Sequence, residues 1–190
     1  KSESEALSTM KEKWHVTTEG NTLVLKLDQE THWFNFIQFG FNTKNPYLNI
    51  SIPQNLAVEI DTSDGSIEAV DLQSGLIADT SNGTMNLHDI VGDVKGHSSN
   101  GSLTVKNIKG KVDLVSSNGA LSLEQIDGAL TAKSSNGKIM INSDITGNWK
   151  CTSSNGKIQL ALPSGVNVKI TADTSNGSLK GNVPWERDGD

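Results

Sequence analysis

Cysteine is all but missing from this chain of 190 residues: a single one excludes an intrachain disulfide and any multi-cysteine zinc site. Basic residues are in deficit, with 16 Lys and Arg against 22 Asp and Glu and a formal net charge of −6. Affinity for polyphosphates rests largely on basic residues, so such a partner, nucleic acid included, is disfavoured. No apolar run approaches the length of a membrane span. Proline is scarce, at four residues, and charged residues make up 20%, too few for a disordered chain. Glycine, in contrast, is plentiful at 18 residues, and a hydrophobic share of 34% suffices for a core. The length allows one sizeable domain or two small ones. The chain opens at Lys1 rather than at methionine, so a leader or anchor is expected outside it.

The glycines are not scattered. A Ser-(Asn/Asp)-Gly triplet ends at Gly65, Gly83, Gly101, Gly119, Gly137, Gly156 and Gly177, at intervals of 18 residues four times, then 19 and 21. A second glycine lies near each midpoint, at Gly75, Gly92, Gly110, Gly128, Gly147 and Gly165. Two and four residues after each triplet glycine stand apolar columns. One runs Ile67, Met85, Leu103, Leu121, Ile139, Ile158, Leu179, and the other Ala69, Leu87, Val105, Leu123, Ile141, Leu160. Seven residues before it stand Val58, Leu76, Val94, Val112, Leu130, Trp149 and Ile170; five before it stand Ile60, Ala78, Gly96, Leu114, Ala132, Cys151 and Ala172. Mostly polar residues fill the positions between. Alternation at period two marks strands with one buried face.

A repeat of this kind decides the architecture. If the chain coils, each strand lies one turn above its own equivalent, parallel and in register, and the columns stack into ladders. The sequence therefore predicts an all-β fold, a single-stranded right-handed parallel β-solenoid (β-helix) with ~18-residue coils and an N-terminal hairpin and cap. The hand follows from the preference for right-handed parallel crossovers. Eight coils at ~4.8 Å each make a rod of about 38 Å. At each corner the triplet Asn or Gly is expected at positive φ, which Gly adopts freely and Asn tolerates. The stacked asparagines, Asn82 to Asn176, are placed to form an amide ladder. The inward hydroxyls of Thr80, Ser98, Ser116 and their equivalents are expected to satisfy corner backbone groups, which argues against reading seven repeated hydroxyls as catalytic.

The chain divides into a tail at 1–13, a hairpin and aromatic capping segment at 14–47, solenoid repeats at 48–181 and a C-terminal tail at 182–190. Trp14 to Leu27 reads as the hairpin, with Glu19-Gly20-Asn21 as its turn. Segment 31–47 holds six of the nine aromatic residues, Trp33, Phe34, Phe36, Phe39, Phe41 and Tyr47, and these are the candidate partner-binding residues. Two readings stand side by side: a plug over the first coil, and a recognition patch for envelope glycan, lipid surface or protein.

Chemistry is sparse. The outward acids Glu68, Asp79, Asp113, Glu124 and Asp173 fall in different columns and coils, so nothing imposes the paired carboxylates of a glycosidase. His15, His32, His88 and His97 are scattered, and the last two sit on opposite sides of one coil, unsuited to sharing a metal. Cys151 stands in a small inward column and reads as a buried, inert thiol. No catalytic residue, metal or cofactor is expected.

The order of these features resembles a family of bacterial domains of unknown function named for adhesins. The resemblance spans about residues 14–181 and rests on the leading hairpin at Leu23–Leu27, the strand Ile50–Pro53, the seven triplets and the late Leu162–Pro163. It implies a β-solenoid at the cell envelope, extracytoplasmic or cell-surface associated, with no catalytic residues to carry over. The expected function is a non-enzymatic envelope-binding or adhesion-like module. The alternatives are a structural element that self-associates end to end and, less favoured, a polysaccharide-active enzyme.

Overall fold

The computed structural model describes the backbone of residues 14–19 and 22–27 and the whole of residues 54–144, 146–162 and 170–182. Among these, sixteen strands and no helix occur. The first two, β1 (Trp14–Glu19) and β2 (Thr22–Leu27), form the expected antiparallel hairpin. From there the chain alternates between two sheets. One takes β3 (Ala57–Thr62), β5 (Leu76–Thr80), β7 (Val94–Ser98), β9 (Val112–Ser116), β11 (Leu130–Ser134), β13 (Trp149–Ser153) and β15 (Ile170–Thr174). The other takes β4 (Ile67–Leu72), β6 (Met85–Val91), β8 (Leu103–Lys109), β10 (Leu121–Asp127), β12 (Ile139–Asn142), β14 (Ile158–Ala161) and β16 (Leu179–Gly181).

Every strand from β3 onward pairs in parallel with its equivalent one coil away. Leu103 lies between Met85 and Leu121, and Val112 between Val94 and Leu130. The fold is thus a parallel β-solenoid. About six complete coils fall among the described residues rather than eight, and residues 48–53, assigned to the first coil, lie outside them. The hairpin joins the first sheet through a parallel pairing of β2 with β3, which covers an edge that would otherwise offer free backbone groups.

The apolar columns face inward as expected, and Leu103, Val105, Val112, Leu114, Leu121 and Ile139 are fully buried. Burial weakens at the last described rung, where Leu179 on β16 is exposed. Trp149 fits into the Val112–Leu130 column, and its Nε1 donates to the Gly128 carbonyl at 3.1 Å. Narrow ladders of this kind bury strands on one face only, and the opposite face stays polar.

The corners behave as expected in their hydrogen bonds and differently in their backbone. Each buried hydroxyl of the triplet corners accepts from a triplet glycine N–H, as in Gly101 to Ser98 Oγ at 2.8 Å and Gly119 to Ser116 Oγ at 2.9 Å. Asparagine amides donate down the rod, Asn100 to Asn82, Asn118 to Asn100, Asn136 to Asn118 and Asn155 to Asn136, each at 2.8 Å. Asp64 starts the ladder by accepting from Asn82 at 2.6 Å. Positive φ, however, is absent from the triplets. It occurs at the midpoint glycines Gly75 (86°), Gly92 (110°), Gly110 (151°) and Gly128 (150°). The triplet glycines are needed for contact instead: a Cβ on Gly101 would lie 1.7 Å from the Gly83 carbonyl oxygen, and one on Gly119 1.8 Å from that of Gly101. Backbones one coil apart meet there with no room for a side chain.

Candidate functional site

A third corner, absent from the expectation of two straight strands per coil, lies inside β4, β6, β8 and β10. At it stand Asp71 (φ 58°), Asp89 (58°), Asn107 (53°) and Gln125 (53°), one per coil and all left-handed. Ordinary alternation fails here. After inward Leu87, both His88 and Asp89 face outward before Ile90 returns to the core. The same holds for Lys106-Asn107 before Ile108 and Glu124-Gln125 before Ile126. Each rung therefore presents two consecutive outward side chains at one edge of the sheet, which straight strands do not do.

The inward residues beyond the bend, Leu72, Ile90, Ile108 and Ile126, form a buried column that period-two reading overlooks. The signal was in the sequence. An apolar column seven residues after the triplet glycine is out of phase with columns at two and four, and such a slip calls for a bend between them.

Along this corner runs a shallow trough lined by Glu68, Asn86, His88, Asp89, Thr104, Lys106, Asn107 and Gln125. It continues past Lys106 and Gln125 to Glu124, Asn142, Ser143 and Asp144. There the 19-residue coil interrupts the corner. Ser143 is buried, and its Oγ accepts from the Ile126 N–H at 2.7 Å, standing in for a backbone partner.

Several trough side chains hold one another. The Asp89 carboxylate meets His88 Nδ1 at 2.9 Å and accepts from the Asn107 amide. Those two hydrogen bonds, with lesser help from the charges of His88 and Lys106, hold the Asp89 carboxyl below the usual carboxylate value of 3.8 despite some desolvation. A lowered acid contributes stability above its unfolded value and loses it as pH falls through the folded one, so Asp89 stays ionised at neutral pH and yields its contribution only below about pH 4. Lys106 Nζ lies 3.2 Å from Glu124 Oε2 one coil on.

The sequence-derived candidates are placed as follows. Glu124 lies in the trough paired with Lys106, Glu68 lines it, and Asp79 on the other sheet sits 3.1 Å from His97 Nδ1. His88 and His97 stand on different sheets. Among the described residues no group of three or more metal-ligating side chains assembles. Cys151 is fully buried, and burial pushes its thiol up to about 12, far from a reactive thiolate. The aromatic candidates Trp33, Phe34, Phe36, Phe39, Phe41 and Tyr47 lie outside the described residues, as do His15 and His32 in their side chains.

The left-handed corner also makes a test of its own. A left-handed backbone costs an ordinary L-residue about 1–2 kcal/mol, and Gln tolerates it less well than Asn or Asp. Gln125→Gly removes that strain at the expense of some unfolded-state entropy, so the variant is expected to gain about 0.5 kcal/mol in urea denaturation. A loss of stability would show that the Gln125 side chain holds the corner.

Two comparisons with known proteins found nothing: no curated protein and no solved structure matches the chain. A family model did, with the description Toastrack DUF4097, over residues 3–189.

Proposed function

The chain belongs to the Toastrack DUF4097 family, whose function is unknown, and on that premise we propose that it is a non-enzymatic binding module of the bacterial cell envelope. The corner trough is the surface that meets its partner. One observation carries this reading: four successive coils keep Asp, Asp, Asn and Gln at left-handed φ, where glycine would sit without strain. The neighbouring corner does use glycine, at Gly75, Gly92, Gly110 and Gly128. Strain retained for the sake of a side chain is a mark of function. The paired outward residues project from a backbone pinned by ladders on both sides, so a partner finds donors and acceptors already in place and little ordering entropy is lost on binding.

An extended, hydroxyl-rich partner such as an envelope glycan suits this surface. Amides, carboxylates and a lysine recur along the trough with the ~4.8 Å rung spacing, in line with the rod. A catalytic reading has less support. Asp79, Asp89 and Glu124 each already engage a His, amide or Lys partner, and the buried thiol is far from ionised.

The test uses Asn107→Gly with Gln125→Gly, which removes two trough side chains while relaxing two strained positions. On an array of envelope glycans and polymers, the wild-type chain is expected to select a ligand. The double variant is expected to lose at least about tenfold in affinity, about 1.4 kcal/mol, at equal or greater stability. Unchanged binding would move the site elsewhere. No ligand at all, together with a solution mass that grows with concentration, would favour the self-associating scaffold.

A further inference from the structure

The net charge of −6 hides an uneven distribution. Residues 54–128 carry 11 acidic and 4 basic side chains, whereas residues 129–182 carry 2 acidic and 6 basic. Three of those bases gather on the outer face of the second sheet. Lys138 and Lys157 immediately precede Ile139 and Ile158, which are in register on β12 and β14. They therefore occupy one column on adjacent rungs, about 4.8 Å apart in backbone. Lys180 follows one rung later on β16, opposite Gln159. The stems of Lys138 and Lys157 are half-buried on the sheet and Lys180 is exposed. Among the described residues, the outward neighbours on these rungs include Met140, Asn142, Gln159 and Ser178, and none is acidic.

Like charges directly opposite each other on neighbouring strands destabilise a sheet. Lys157 feels this: its own desolvation first, then the charges of Lys180 and Lys138, hold its ammonium below the usual lysine value. Earlier in this column the rod avoids such a contact, although on the first sheet Asp61 lies opposite Asp79. The equivalent column runs Ser66, Thr84, Ser102, Ala120 before it turns basic, and Lys106 one rung from Glu124 is paired. A cation cluster whose members repel one another is relieved by an anion lying across them.

We infer that Lys138, Lys157 and Lys180 form a binding site for successive phosphate groups of a linear phosphodiester polymer running along the C-terminal coils. This site is separate from the corner trough and does not depend on the reading given to it. It also reverses, for this end of the rod, what the net charge says of polyphosphates. A linear chain fits better than a lipid surface. The lysines step along the rod axis one rung at a time, and a polymer can cross these three rungs alone. A flat anionic surface against the same face would also meet Glu68 and Glu124 and be repelled there. Ser178 and Gln159 stand beside the lysines with groups able to donate to phosphate oxygens.

The experiment measures binding of an oligomeric poly(glycerol phosphate) to the full chain by calorimetry across a salt series. Three phosphate contacts give a slope of log affinity on log salt of about −2. The K138Q/K157Q/K180Q variant is expected to bind at least about tenfold more weakly with a slope near zero, and to melt no lower than wild type because repulsion is removed. Asn107→Gly is expected to leave this binding unchanged, which separates the two sites. Wild-type chain that fails to bind the polymer at low salt, or a triple variant that binds it equally well, overturns the inference. Binding to vesicles of equal phosphatidylglycerol and phosphatidylcholine without binding to the polymer overturns it too, in favour of a membrane surface.

Discussion

Leu114→Asp is expected to abolish the folded state. Leu114 is fully buried between Gly96 and Ala132 of the neighbouring rungs, in a column of small and apolar side chains. A carboxylate there meets no cation, and burying a charge without a partner costs several kcal/mol. Against a domain stability of about 5–15 kcal/mol, that loss in the middle of the rod consumes most of the margin. Leu114→Ala separates charge from volume: it leaves a cavity, costs about 2–5 kcal/mol and is expected to remain folded. Circular dichroism and urea titration of the two variants decide the matter. A folded Leu114→Asp chain would mean that the rod opens to water at this rung.

Gly119→Ala is expected to be nearly as damaging, although it adds only one methyl group, at a buried corner glycine. A Cβ at this position would lie 1.8 Å from the Gly101 carbonyl oxygen and 2.4 Å from its carbon, both backbone atoms. No side chain can rotate away, so two coils must part, and the hydrogen bonds from the Asn118 amide to Asn100 and from the Asn118 N–H to the Ser99 carbonyl part with them. Overpacking alone costs about 1–3 kcal/mol, and the broken corner bonds add about 1 kcal/mol each. A loss of about 3 kcal/mol or more is expected by thermal or urea denaturation. A melting curve like that of wild type would show that the coils have slack at the triplet.

The sequence made the coil legible because parallel in-register stacking gives equivalent residues equivalent surroundings. Leu103, Leu121 and Ile139 read as one column for the reason that they touch one another in the rod. The inward serine hydroxyls and the asparagine ladder were legible on the same ground. The third corner was legible only through the out-of-phase column Leu72, Ile90, Ile108 and Ile126, not through the residues that form it. Asp71, Asp89, Asn107 and Gln125 are polar and exposed, and a polar exposed residue looks alike in a strand or in a left-handed bend. Glycine misled for a related reason: it serves positive φ at Gly110 and close backbone contact at Gly101, and composition does not distinguish the two uses. The trough follows from the bend, so it was hidden with it. The lysine column was visible as Lys138 and Lys157, but its isolation from acidic neighbours is a property of the assembled face.

Near-identity of the coils also poses a problem of identity among them. A strand displaced by one whole coil would still find apolar columns, asparagine partners and serine corners, so the regular features cannot tell the right neighbour from the next one. The irregular residues can. Gly96 makes room for Leu114, since a Cβ there would lie 2.9 Å from Leu114 Cδ2. Ser143 fits only the rung beside Ile126, Trp149 reaches only the Gly128 carbonyl, and Asp64 can only begin the asparagine ladder. These residues act as addresses written at intervals along a repetitive text. Replacing them with the consensus residue of each column would strengthen individual rungs, yet it would let the chain settle into slipped isomers of similar energy.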